Sequence, residues 1–338
     1  MSVRRSPRLT VAAKTRSIED DPNDSPPAKR IKAEQQHPTT AVTPSPPPKK
    51  TSPASKKAGT KKARRNNSKP EPGSKAPPKG WEEIYSLVEE LRQDKTAPLD
   101  ADGAEALPET DQGDKGFRFQ VLIALMLSSQ TKDHVVGETM RALQKHGLSI
   151  ENIHNNTPKE QLNALIGKVG FHNNKTKYIK EACQVLLEKY DGDIPRTAKE
   201  MMELKGIGPK MAYLIENIAW GTYSGIGVDT HMHRLFVMLK WVPESKYPET
   251  TRVHLEAWLP REKWPTVNYY WVGFGQEVQQ QKAKILRKSL DCSRPYEALR
   301  LLKRVGLDPV KEGDKEGWGD EVRLALKEKP KPAQTTSE

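Results

Sequence analysis

Beyond position 80, apolar residues recur at three- and four-residue steps, the spacing that lines one face of a helix. Trp81, Ile84, Tyr85, Val88 and Leu91 share such a face and predict a helix over 81–91. The stretch 117–128 is too apolar for a surface helix and predicts a central one. Tyr178, Ile179, Ala182, Val185 and Leu186 form a third face within a helix over 177–190, ended by Gly192 and Pro195. Met211, Leu214, Ile215 and Ile218 predict a fourth helix over 210–220. Strictly alternating stretches are scarce, so the expected fold class is all-α, with about ten helices. The longest apolar run, near 121–127, is far too short to cross a bilayer, which excludes a membrane-spanning helix there.

Before position 80 this pattern is missing. Residues 1–79 hold 14 of the 27 prolines and no Phe, Trp or Tyr. They carry 19 Lys and Arg against 6 Asp and Glu, whereas the rest of the chain carries 37 against 38. Nearly all of the net charge of +12 therefore belongs to this segment. It has too little apolar surface to offset its ordering entropy and is expected to be a disordered basic tail. Its clusters Lys49-Lys50, Lys56-Lys57 and Lys61-Lys62-Ala63-Arg64-Arg65 suit loose, salt-dependent contact with DNA phosphates. Pro27-Ala28-Lys29-Arg30-Ile31-Lys32 reads as a nuclear localisation signal. The five basic and no acidic residues of 1–17 also fit a mitochondrial transit peptide. The expected location is the nucleus first and the mitochondrion second. Two cysteines, Cys183 and Cys292, cannot form a disulfide framework, and no secretory apolar segment follows Met1, which points to a reducing compartment. Residues 308–338 read as a polar tail, loose from about 327 onward.

The densest chemical signal is Leu204-Lys205-Gly206-Ile207-Gly208-Pro209-Lys210-Met211-Ala212. Gly206 and Gly208 permit a tight turn and a close backbone approach, and Pro209 suits the first turn of the next helix. Backbone N–H groups at such a helix start, together with the helix dipole, suit a phosphate. This is the helix-hairpin-helix pattern, a DNA backbone clamp that reads no sequence. Downstream, Asp229 follows the Gly-rich stretch Gly225-Ile226-Gly227-Val228 and precedes Thr230 at an expected helix start. It reads as an N-cap, and a carboxylate held there also suits a general base or a stabiliser of positive charge.

Several motifs then agree. Leu125-Met126-Leu127-Ser128-Ser129-Gln130-Thr131-Lys132-Asp133, Val169-Gly170-Phe171-His172-Asn173-Asn174-Lys175, the hairpin, Val228 to Arg234, and Val272-Gly273-Phe274-Gly275-Gln276 stand in the order of one family. From about Trp81 to Leu307 the chain resembles the endonuclease III family of helix-hairpin-helix DNA glycosylase/AP lyases, in particular its eukaryotic members. The resemblance implies two helical domains with a DNA-binding cleft between them. One would comprise 116–221, with six helices ending in the hairpin; the other would join 80–115 to 222–307. It implies that Lys210 attacks C1′ of a damaged nucleotide, forms a Schiff base and cuts the strand by β-elimination, with Asp229 stabilising charge and moving protons. Related adenine glycosylases lack the lysine and the lyase step. The substrate class implied is oxidised pyrimidines of the thymine glycol type. Gly206 and Gly208 would contact the backbone, Gln130 would insert opposite the lesion, Val169 and Phe171 would wedge the other strand, and His231 would line the base pocket. The implied partner is double-stranded DNA carrying damaged bases or abasic sites, bound by a monomer, with no membrane and with other repair proteins reached through the N-terminal tail.

One departure stands out. Most members bind a 4Fe-4S cluster through four cysteines after the Gly-Phe-Gly-Gln segment, and here those positions hold Gln279, Leu286, Ser289 and Pro295. Two cysteines cannot supply four thiolates, so no cluster and no other cofactor is expected. The segment reads instead as a helix over 278–289, with Lys282, Lys284, Arg287 and Lys288 either facing DNA or simply solvated. His231 and His233 diverge on a helix, so no metal site is expected. Two other readings stay open at this point: a non-catalytic DNA-binding repair protein that kept the hairpin, and a glycosylase of different base preference.

Overall fold

The computed structural model describes residue 71 and residues 73–329. The basic clusters and import signals before position 71, and the chain from 330 onward, lie outside the described residues. Fifteen α-helices occur among those described: α1 (Trp81–Leu91), α2 (Pro98–Asp102), α3 (Gly113–Ser128), α4 (Asp133–His146), α5 (Lys159–Leu165), α6 (His172–Lys189), α7 (Ala198–Met201), α8 (Pro209–Trp220), α9 (Thr230–Met238), α10 (Pro248–Glu256), α11 (Trp264–Gln280), α12 (Lys282–Asp291), α13 (Pro295–Arg304), α14 (Pro309–Glu316) and α15 (Gly319–Ala325). No strand occurs among these residues, and the fold is all-α.

Two hydrophobic cores organise the helices. The first gathers side chains between Leu107 and Ile215 around α3, whose residues Phe119 to Leu127 are buried on every side. That is why this stretch lacks a polar face: it is the axis of its layer. The second core joins α1 to the chain after Ile226. It is built on aromatic rings, with Trp271 lying 4.9 Å from both Phe236 and Trp241 and 5.9 Å from Tyr85, centroid to centroid. The contacts with Tyr85 and Trp241 are edge-to-face, a geometry that adds to the burial energy of each ring. α3 packs on α8, and α2 packs on both α4 and α11, so α2 bridges the two cores.

The bridge is held by charge. Arg92, at the end of α1, is 0% exposed. Its Nη2 donates to both carboxylate oxygens of Asp100, at 2.8 and 2.7 Å, and its Nη1 donates to Glu277 Oε1 at 3.3 Å. A fully buried guanidinium needs such partners, because burying it alone costs several kcal/mol, roughly.

Several expectations change. Residues 308–325 are not a tail: the Asp308 side chain accepts from the amides of Val310 and Lys311 to start α14, Gly317 (φ +82°) ends it, and Val322 of α15 is buried in the second core. The N-terminal tail ends before 79, because the Lys75 amide donates to the Ala257 carbonyl at 2.9 Å. The helix expected over 278–289 is two: α11 runs to Gln280, and Gln281 (φ −129°, ψ 51°) turns the chain before α12. Three of the four basic residues there are engaged within the chain. Lys284 donates to Thr96 O, Arg287 pairs with Asp291 and Glu321, and Lys288 pairs with Asp94 and Glu277.

Candidate active site

The hairpin is a product of local backbone demands. Thr197 caps α7 by accepting from the Glu200 amide at 3.2 Å, and Leu204 and Ile207 anchor the turn in the first core. Gly206 has φ +86°, and a Cβ there would stand 2.6 Å from the Tyr178 ring, so backbone and packing both require glycine. Gly208 differs. Its φ is −97° and a Cβ would meet nothing within 4 Å, so neither backbone nor packing demands glycine there. What its bareness leaves is an unobstructed approach to the start of α8. Pro209 opens that helix, and its first hydrogen bond runs from the Ala212 amide to the Gly208 carbonyl. The amides of Lys210 and Met211 therefore have no partner within the helix.

α8 ends at Gly221 (φ +62°), and the chain returns along it. Gly225 lies on the Tyr213 ring and Gly227 against Leu214 and the Lys210 carbonyl. Asn268 pins this return by donating to the Gly227 carbonyl at 2.7 Å. The buried Glu216 ties it down as well, its carboxylate accepting from the Ala198 and Ser224 amides and the Ser224 hydroxyl. The return ends at Asp229, the N-cap of α9, whose Oδ1 accepts from the Met232 amide at 2.8 Å. Asp229 is 8% exposed.

A cavity of about 820 Å³ lies where the two cores meet. Gln130, Gly208, Lys210, Asp229 and His231 all line it. Asp133, Gln276 and Tyr269 are among the polar groups on its walls that the sequence did not single out. Asp133, at the start of α4, accepts a hydrogen bond from Gln276 Nε2 at 2.6 Å, and Gln276 Oε1 accepts from the Leu99 amide at 3.0 Å. Burial raises the Asp133 carboxyl above the ordinary carboxylate range, opposed by the Gln276 hydrogen bond and by the charges of Lys210 and His231. The third, Tyr269, is pushed above the usual phenol range by burial and by Asp100. Asp133 and Gln276 each closed a motif that the sequence displayed, which was the available signal. His231 Nδ1 is buried without a partner, and His233 bonds Thr251 Oγ1 at 2.7 Å, so the two rings serve different neighbours.

Val169, Phe171 and Gly206 lie outside this cavity. Val169 is 2% exposed and packed in the first core, so its side chain is not presented to a partner; this corrects its reading as a wedge. Phe171 is the opposite, 66% exposed at the start of α6 with φ +58°. The donor set does not fit a four-thiolate cluster. Leu286 and Ser289 are buried, with Ser289 Oγ donating to the Ile285 carbonyl, and Cys183 belongs to the first core while Cys292 packs against the second. No group of three or more metal-ligating side chains occurs among the described residues.

Residues 123–261, which include the hairpin and Asp229, match the model of the HhH-GPD superfamily base excision DNA repair protein. The chain is 47% identical over 212 residues to Endonuclease III-like protein 1 of Gallus gallus, covering 62% of this chain and 75% of that protein. It is 48% identical over 205 residues to the Endonuclease III homolog of Schizosaccharomyces pombe, covering 60% of this chain and 57% of the other. It is also similar to an endonuclease III solved in a non-covalent complex with DNA, at 25% identity and a TM-score of 0.49 over 57% of this chain and 84% of that one. With these motifs placed around one cavity, and with relatives of this identity and extent, the chain belongs to the endonuclease III family of DNA glycosylase/AP lyases.

Proposed function

We propose that this protein is a bifunctional DNA N-glycosylase and AP lyase that removes oxidised pyrimidines of the thymine glycol type from double-stranded DNA. The observation that carries the reading is that Lys210 and Asp229 line one cavity. A pure clamp needs neither a lysine nor a carboxylate inside a pocket. A volume of about 820 Å³ suits one nucleotide swung out of the duplex.

In this reading the amides at the start of α8 and the bare Gly208 hold a phosphate, so binding and chemistry share one element. The Lys210 amine, as the free base, attacks C1′. The bond from C1′ to the base breaks, and its electron pair leaves with the base, which takes up a proton. Opening of the sugar ring at O4′ gives the Schiff base between Nζ and C1′. Loss of a proton from C2′ then expels the 3′ phosphate by β-elimination, and water releases the lysine. Asp229 stabilises the positive charge that grows on the sugar and moves protons. Gln130 and Phe171 fill the gap left in the stack, and His231 lines the base pocket. The basic N-terminal segment directs the protein to the nucleus, with the mitochondrion as second destination.

Borohydride reduces a Schiff base to a stable amine. Incubation with a duplex carrying thymine glycol or an abasic site, followed by borohydride, should trap wild type covalently and should not trap Lys210→Ala. Absence of a trapped wild-type complex on both substrates overturns the reading.

A further inference from the structure

Two non-glycine residues beside the cleft hold left-handed backbone: Gln130 (φ +55°), which follows α3, and Phe171 (φ +58°), which precedes α6. Such conformations cost free energy and are kept where the surroundings enforce them. Here the enforcing contacts run between the two turns. The Gly170 amide donates to Thr131 Oγ1 at 3.2 Å. A Cβ on Gly170 would collide with the Gln130 carbonyl oxygen, so the turns touch backbone to backbone.

Beneath them lies Lys175, 5% exposed on the first turn of α6. Its ammonium donates to the carbonyls of Leu127 and Ser129, at 2.7 and 2.6 Å, and to Thr131 Oγ1 at 3.3 Å. Three donors meet three acceptors. Two of those acceptors are carbonyls at the end of α3 that no further helical turn can satisfy, so Lys175 caps α3 from a neighbouring helix. Burial lowers its pKa to about 8, which leaves the ammonium in place at neutral pH. A buried charge with all its donors used makes no contact of its own with DNA.

We propose that Lys175 is a positioning residue that locks the Gln130 and Phe171 turns into one rigid two-pronged element, which enters the duplex as a unit. This rests on the proposed action on duplex DNA. A polar prong and an aromatic prong on a shared base would fill the space of an extruded nucleotide and wedge its neighbours together. A base fixed in advance spares the ordering cost that two independent loops would meet on binding.

The test separates duplex opening from chemistry. Full-length wild type, Lys175→Met and Gly170→Ala are compared on an abasic site in single-stranded DNA and in duplex DNA, by borohydride trapping. A 2-aminopurine beside the site reports unstacking, which requires no chemistry. Both variants should trap on the single strand within about twofold of wild type, and on the duplex should lose about tenfold or more together with the fluorescence rise. Gly170→Ala pries the turns apart with no change of charge, so it decides the matter if Lys175→Met does not fold. Variants that unstack the duplex as wild type does, or that lose equally on both substrates, overturn the proposal. Failure of the lyase reading looks different: wild type opens the duplex but is trapped on neither substrate.

Discussion

Gly227 lies against the first turn of α8, where a Cβ on it would stand 3.0 Å from the Lys210 carbonyl oxygen and 2.6 Å from Leu214 Cγ. The returning segment that delivers Asp229 can run beside Lys210 because residue 227 has no side chain. Gly227→Ala should move that segment outward at a cost of about 1–3 kcal/mol. A displacement on the scale of an ångström at the reacting groups lowers the rate by about 100-fold. The expected outcome is a folded variant with a modestly lower melting temperature and a much lower single-turnover rate of strand cleavage. A rate loss no larger than the stability loss explains would show that this contact does not set the geometry of the site.

The proposed function gives Asp229 a second task beside its N-cap, and one substitution separates the two. As N-cap it accepts from the Met232 amide, and asparagine caps a helix about as well as aspartate. Asp229→Asn should therefore leave the melting temperature nearly unchanged. It removes the negative charge, so base release should slow by about 100-fold or more. Asp229→Ala should add a stability loss of about 1 kcal/mol to the same rate defect. Calorimetry beside single-turnover base release distinguishes the two variants.

Some of this site was legible in the sequence and some was not. Gly206 and Asp229 were, because a left-handed turn and a helix cap are local demands that residue type reveals. The pairing of Gln276 with Asp133 was not: it joins residues 143 positions apart, and only the packing of α11 near α4 brings them together. Val169 was misread because the sequence shows an apolar residue in a Gly-containing loop without showing which way it points; it points into the core. The helices over 309–316 and 319–325 are short and polar, and it is their capping, the burial of Val322 and the packing of Val310, Trp318 and Ala325 on the second core that show what holds them.

Asp133 makes stability depend on pH in a definite direction. Burial raises its pKa above the ordinary value of 3.8, so the folded state holds the proton more tightly than the unfolded chain. The stabilisation from that proton is complete below the unfolded value and is lost as pH rises through the folded one. Asp133→Asn keeps an oxygen that accepts from Gln276 and has no charge to bury. Its urea midpoint relative to wild type should therefore rise between about pH 4 and pH 7. A difference that stays flat across this range would mean that the carboxylate is ionised at no cost.

Arg92 ties α2, the bridge between the cores, to the second core. Its guanidinium serves Asp100 with both acceptors in range of one nitrogen and reaches Glu277 with the other, and Gly273 gives it room, since a Cβ there would stand 2.5 Å from Nε. Removing it strips the nearly buried Asp100 of its cationic partner and leaves it the Ala97 amide and the neighbouring Tyr269, whereas Glu277 retains Lys288. Breaking a buried pair from one side costs about 3–5 kcal/mol, far more than losing an exposed one. Arg92→Met should lose about that much in urea unfolding. Arg92→Lys should rescue little, because a single ammonium cannot span both carboxylates as the planar fork does. Asp100 lies in α2, which forms a wall of the cavity, so both variants should also weaken duplex binding. Exposed ion pairs such as Lys168–Glu138 provide the control: Lys168→Met should leave the midpoint nearly unchanged. Equal effects from Arg92→Met and Lys168→Met would show that the buried network carries no special weight.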